Sequence, residues 1–324
     1  MQKVEIHYRN KQIDGLRAVM ILMIVIFHLT CRFQQLYTNS DIPFVKYWGG
    51  IGALVFLMIS SYFAAETKIS QLPIKIFRLW PAYFISITIT MFVLSVLPVE
   101  GRMCTWKDYL INIFFLNGYI NIPYVDGAHW YITTLISSLV VIALINKSQS
   151  NECIGSFLIW IIVSICFKIT KLTMFTLLIA GSYSGIVSIG IAIKRYIKFY
   201  KEKKIALCRK WLLLLLIGLG ATGYLMGMIK TVEAGIAIII VGGSTLEKFP
   251  ILNCRLLQFI GAISYPLYLL HQNISYAIEL YMIRRIGSFS IIYSVVAFTF
   301  VFILAIIVYK YVEKPFNKWL KKAF

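Results

Sequence analysis

The sequence predicts an all-α bundle of membrane-spanning helices, and three observations carry that expectation. Of 324 residues, 60% are hydrophobic and 14% charged, whereas a soluble globular chain carries about 25% charged residues. The apolar residues gather into about ten runs long enough to cross a bilayer. The 32 Lys and Arg, against 13 Asp and Glu, concentrate in the segments that lie on one side when the N-terminus is cytoplasmic, residues 194–210 and 310–322 above all. That bias predicts both termini inside. No tract of soluble composition, internal repeat or low-complexity segment divides the chain, so one domain over residues 1–324 is expected.

In chain order the expected spans are residues 13–31, 50–66, 78–98, 128–146, 154–170, 173–193, 211–229, 232–246, 256–280 and 288–312. The first is read as a retained helix, since no small-residue cleavage site follows it. It carries Asp14, Arg17 and His28 within an apolar run. Arg17 and His28 are three helical turns and about 16 Å apart on one face. Ionisable groups in a membrane helix cost free energy and normally face the bundle interior, so this helix is the leading functional candidate. Asp14 is read as the salt-bridge partner of Arg17.

The third span opens with KIFRLWPAYF, where Lys75 and Arg78 lie on neighbouring turns and Pro81 is expected in the first turn. Arg17, Lys75 and Arg78 share the cytoplasmic side in this topology. They read either as positive-inside anchors or as a site for an anionic, phosphate-bearing ligand, and the alignment of Arg17 with His28 favours the second. Residues 109–116 form an apolar patch too short to cross, expected to be re-entrant or interfacial. His129 and Trp130 open the fourth span on the outer side, as an aromatic-belt pair or beside a glycan entrance. Tyr265, Tyr268 and His271 on the ninth span, and Ser60 on the second, are candidate cavity groups. Glu313 is read either as support for the anionic-ligand site or as a cap on local positive charge, the second being preferred.

Composition also excludes functions. No basic soluble domain exists to house a nucleic acid, so the net charge of +19 is read as a topology signal aided by anionic lipid. The six cysteines form no C-x-x-C pair and the histidines show no metal-ligand spacing, so no metal is expected.

Five of these segments, in order, resemble the acyltransferase-3 family of multispan membrane acyltransferases. Arg17 and His28 are similar to its arginine-x10-histidine motif, and GGIGALVFLMISSYF (49–63) to its second-helix pattern. KIFRLWPAYF resembles its basic-x-x-Arg motif followed by proline, ISYPLYLLH (263–271) its Ser-Tyr-x-x-Tyr-x-x-His segment, and VEKPF (312–316) its terminal Glu-x-Pro-Phe. Two departures stand out. The second-helix pattern usually ends Ser-Gly and here reads Ser60-Ser61, which puts close backbone packing in doubt. The acidic pair that many members carry after the fourth-span tryptophan is replaced by Thr133 and Thr134, leaving His28 without an evident orienting partner.

The resemblance implies acyl transfer from cytoplasmic acyl-CoA, commonly acetyl-CoA, to a hydroxyl of a glycan or glycolipid in the bacterial cytoplasmic membrane. Arg17, Lys75 and Arg78 would hold the CoA phosphates. His28 would act as general base or accept the acyl group itself, and sequence does not separate these roles. A glycolipid transporter or flippase with a buried His and Arg path is the alternative.

Overall fold

Asn10 starts the bundle. Its Oδ1 accepts from the amides of Gln12 and Ile13 at 2.9 and 3.2 Å, satisfying donors that a helix start leaves orphaned. Helix α1, Lys11–Tyr37, runs from there. The computed structural model describes residues 10–38, 42–148 and 153–323, and every regular element among them is helical. Helices α2 (Trp48–Ala64), α3 (Ile69–Val96), α4 (Trp106–Ile113), α5 (Gly127–Ser148), α6 (Gly155–Ile169) and α7 (Thr173–Leu178) come next. They are followed by α8 (Ser184–Lys201), α9 (Ile205–Met226), α10 (Met228–Thr245), α11 (Arg255–Ala262), α12 (Ser264–Ile286) and α13 (Ile291–Ala323).

Six of these, α1, α3, α5, α9, α10 and α13, are long and apolar enough to cross a membrane. Four of the expected spans do not meet that measure, each for a local reason. Helices α2 and α6 are apolar but short, at 17 and 15 residues. The run 173–193 breaks at Ala180, which takes a left-handed conformation with φ 49°. The run 256–280 breaks at Ile263, and its longer half, α12, buries Ser264, His271, Gln272, Asn273, Ser275 and Glu279. A helix sheathed by its neighbours need not present an apolar surface to lipid. The outside follows the opposite rule: Phe92, Ile159, Ile239 and Ile303 are exposed, the inversion a lipid solvent produces.

The third helix begins earlier than its charges suggest. It starts at Ile69, with Pro73 rather than Pro81 near the N-terminus, and Pro81 lies inside it. A proline there removes one helical rung. The apolar patch at 109–116 does turn back into the bundle. Helix α4 descends along α3, with the Tyr109 hydroxyl 2.7 Å from Thr88 Oγ1 and Trp80 Nε1 donating to Ile113 O at 3.1 Å.

Helix α1 packs on α2, α11 and α12, and α12 also packs on α3 and α13. The contact of α1 with α11 is backbone to backbone. A Cβ on Gly261 would collide with the Asp14 carbonyl, and one on Gly15 with the Leu252 carbonyl. Close packing of α2 survives the loss of its motif glycine, because the partner helix supplies one. Gly190 on α8 faces the Met58 carbonyl and Ser61, where a Cβ would not fit, and Ser61 turns its hydroxyl back to Leu57 O at 2.6 Å.

Candidate active site

The first turns of α1 and α3 bring three cations to one cavity of about 320 Å³. Arg17, Lys75 and Arg78 line it, with Glu313 of α13 as the acid among its walls. Arg17 is held on both sides. Its Nη2 donates to Ser264 Oγ at 2.9 Å, Ser264 Oγ donates on to Gly261 O at 2.8 Å, and Nη1 lies 3.7 Å from Asp14 Oδ1. The Arg17 side chain still keeps 32% of its exposure, so it retains donors for an incoming anion. Lys75 Nζ donates to Thr67 Oγ1 at 2.6 Å. Three cations thus gather at this end against Glu313 in the wall and Asp14 behind Arg17, and hydrogen bonds from such charged donors are worth about 1.5–3 kcal/mol each.

Above this polar end the walls become apolar, with Ile24, Ala53, Phe56 and Ile59. On α2, Phe56, Ile59, Ser60 and Phe63 follow helical spacing and face the cavity together. Two tyrosines form the roof. Tyr131 lies with its ring 5.5 Å from that of Tyr268 and its hydroxyl 3.0 Å from Ser60 Oγ, and the Tyr268 hydroxyl donates to Ala128 O. Tyr265 lines the lower wall and donates to Leu79 O at 2.8 Å.

His28 lies one helical turn beyond Ile24 and does not line the chamber. The expectation that Arg17 and His28 open onto one cavity is therefore met at the Arg17 end only. The backbone at His28 changes character, because residues His28–Arg32 form a π-helical turn, a local widening often found at functional sites. The Ser294 hydroxyl donates to Leu29 O in that turn at 3.0 Å. His28 Nδ1 lies 3.1 Å from the Tyr276 hydroxyl, which supplies the orienting partner missing from the sequence. Gln272 Nε2 donates to the same hydroxyl at 3.5 Å, and Phe33, Tyr37 and Arg102 surround the Tyr276 ring.

His271 stands beside His28, with ring centroids 5.0 Å apart. It is fully buried, and its Nδ1 donates to Tyr268 O at 2.7 Å. A carbonyl only accepts, so neutral His271 presents Nε2 as a lone pair, and that atom has no protein partner.

The remaining sequence candidates divide. Ser60, Tyr265 and Tyr268 line the cavity, whereas Asp14, His129, Trp130 and His271 do not. Asp14 sits behind Arg17. His129 is buried rather than at an interface, its Nε2 donating to Leu269 O at 2.9 Å while Asp126 Oδ2 accepts from Asn273 N at 2.8 Å. These two side chains meet the acceptor and donor of one helical rung and pin the re-entrant loop to α12. Trp130 stacks on Tyr183 at 5.3 Å and lines a separate cleft with Thr133 and Thr134.

Sequence reasoning missed Tyr276, Tyr131 and Ser264, and left Glu313 between two roles. Ser264 is the second residue of the quoted ISYPLYLLH segment and was within reach. Glu313 ends a second π turn, Tyr309–Glu313, which brings it to the cavity within electrostatic reach of Arg17 and Arg78.

A helical bundle that is apolar outside, with several helices long enough to cross a bilayer and three cations lining one interior cavity, defines a membrane protein with an internal polar site. The acyltransferase-3 family model, described as an acyltransferase domain, matches residues 10–310. The chain belongs to that family and is an acyltransferase, a multi-pass protein of the membrane. Comparison with curated proteins and with solved structures found no match.

Proposed function

We propose that this enzyme takes an acyl group, acetyl in the simplest case, from cytoplasmic acyl-CoA and passes it to a hydroxyl of a surface polysaccharide or its lipid-linked precursor. It works in the bacterial cytoplasmic membrane, with about ten crossings and both termini inside. The observation that carries this reading is the meeting of Arg17, Lys75 and Arg78, from two helices, on one cavity whose apolar wall includes Ile24, one helical turn before His28. Phosphates of the donor sit among the cations, and the thin pantetheine arm follows the apolar wall past Ile24 and Phe56. Rotation of Tyr268 or Tyr131 then opens the last helical turn to His28.

The acceptor oxygen attacks the thioester carbonyl, the C–S bond breaks, and CoA leaves as thiolate. His28 takes the acceptor proton and returns it to the thiolate. If His28 is instead the acyl carrier, its ring nitrogen attacks the thioester carbonyl first and CoA leaves as thiolate. The sugar hydroxyl then attacks the acyl-imidazole, the C–N bond breaks, and the hydroxyl proton passes to the thiolate. In both routes the working atom is Nε2, because Nδ1 is engaged by Tyr276.

The test is mass spectrometry of surface polysaccharides from cells with and without the gene. The repeat unit is expected to lose the mass of one acyl group on deletion and regain it with the wild-type gene, but not with His28→Ala. An unchanged glycan on deletion, or full restoration by His28→Ala, overturns the reading.

A further inference from the structure

A second chamber opens beside the first. A groove of about 310 Å³ lies between the start of α3 and the end of α13, and Lys75 and Arg78 line both this groove and the cavity. Its other polar walls are Gln71, Asn317 and Lys321. On α3, Gln71, Lys75 and Arg78 follow i, i+4, i+7 spacing; on α13, Glu313, Asn317 and Lys321 follow i, i+4, i+8. Arg78 shares the cavity with Glu313, while Gln71 shares the groove with Lys321. The two stripes therefore run past each other in opposite directions, and the cations Lys321, Lys75, Arg78 and Arg17 succeed one another from the groove into the cavity.

We propose that this groove holds the nucleotide end of the donor, a 3′-phosphorylated adenosine, while the cavity holds its acyl arm; the inference rests on acyl-CoA being the donor. A diphosphate lies across Lys75 and Arg78, the wall common to both chambers, and the 3′-phosphate pairs with Lys321. Among the described residues no carboxylate lines the groove, so a doubly charged phosphomonoester meets cations without an opposing acid from them. Asn317 Oδ1 is buried and has no protein partner, and so can accept from an adenine amino or ribose hydroxyl. Gln71 uses Oε1 to accept from Lys68 N at 3.0 Å, which leaves its amide hydrogens to donate to phosphate. Ile74 and Leu320 supply apolar wall for a base.

The experiment compares CoA with 3′-dephospho-CoA by titration calorimetry on the full chain in neutral phosphatidylcholine nanodiscs, where no anionic headgroup competes. The wild type is expected to prefer CoA by about tenfold or more. Lys321→Gln is expected to bring the ratio close to one and Lys321→Arg to restore it. Arg17→Gln weakens both ligands and keeps the ratio. CoA binding with the same preference in wild type and Lys321→Gln overturns the nucleotide groove and leaves the donor reading standing. Absence of CoA binding to the wild type overturns both. A preference lost in the wild type on adding anionic lipid, with direct lipid binding that needs Lys321, identifies competition by a headgroup for the same phosphate site.

Discussion

In the proposed mechanism His28 is the catalyst, which requires something to fix its ring, and the group in contact with its Nδ1 is Tyr276. Its hydroxyl holds His28 Nδ1 at 3.1 Å and leaves Nε2 for the chemistry, whichever of the two routes operates. Arg17 contributes at a different stage, since its guanidinium faces the cavity about 16 Å lower on the same helix. The two positions therefore separate kinetically. Replacing His28 with alanine is expected to lower turnover by about 10²–10⁴-fold, the range for a lost general base, with an unchanged melting temperature of the solubilised protein. Tyr276→Phe is expected to lower kcat while leaving the KM for acyl-CoA nearly unchanged, because it disturbs only ring orientation. Arg17→Ala or Arg78→Ala is expected to raise that KM instead. Steady-state assays on the purified variants read both parameters. A rise in KM without loss of kcat in Tyr276→Phe would falsify its positioning role.

At the scale of elements, the site depends on how closely α1 approaches its neighbours. Arg17 is anchored through Ser264 and Gly261, and Gly261 is where α11 touches the backbone of α1 at Asp14. A larger side chain there pushes α11 away from α1 and takes the Arg17 anchor with it. Gly261→Val is expected to destabilise by about 1–3 kcal/mol, as overpacking does, and to raise the KM for the donor. On α2 the family's usual glycine has become Ser61, yet the clearance survives because Gly190 provides it from α8. Restoring the common pattern with Ser61→Gly is thus expected to cost no more than about 1 kcal/mol, the helix-propensity difference. Gly190→Leu collides with the Met58 carbonyl and costs far more. Thermal unfolding of the solubilised variants checks this ordering, and equal losses at 61 and 190 would show that the contact is not where the clearance matters. The π turns at His28–Arg32 and Tyr309–Glu313 likewise aim functional groups, and no local sequence signal announces either one.

Over the whole molecule, charge in an apolar run was the legible part, because burying it carries a cost that selection tolerates only for a purpose. Arg17, Lys75 and Arg78 could be read that way, and they do meet. Glu313 was not, since a carboxylate beside Lys314 also reads as simple neutralisation until a π turn delivers it to the cavity. Tyr276 carries no charge and looks like any aromatic in a membrane helix. Hydropathy marked 256–280 as one span, but the run breaks at Ile263, and the longer half, α12, carries a row of buried polar residues instead of an apolar surface. Orientation is the property of the whole chain on which the proposed chemistry rests, for the proposed donor, acyl-CoA, is cytosolic and the cations would have to meet it there. Helix α3 carries Lys75 and Arg78 near its start and reaches Glu100 just past its other end, while Lys322 follows Glu313 down α13 toward the cation side. In a variant with its six cysteines replaced by serine, Lys322→Cys is expected to react with a membrane-impermeant maleimide only after spheroplasts are permeabilised. Glu100→Cys is expected to react in intact ones, since the two positions lie at opposite ends of the bundle. The reverse pattern would put Arg17, Lys75 and Arg78 on the side that lacks acyl-CoA, and no arrangement of side chains around His28 could then make that donor its substrate.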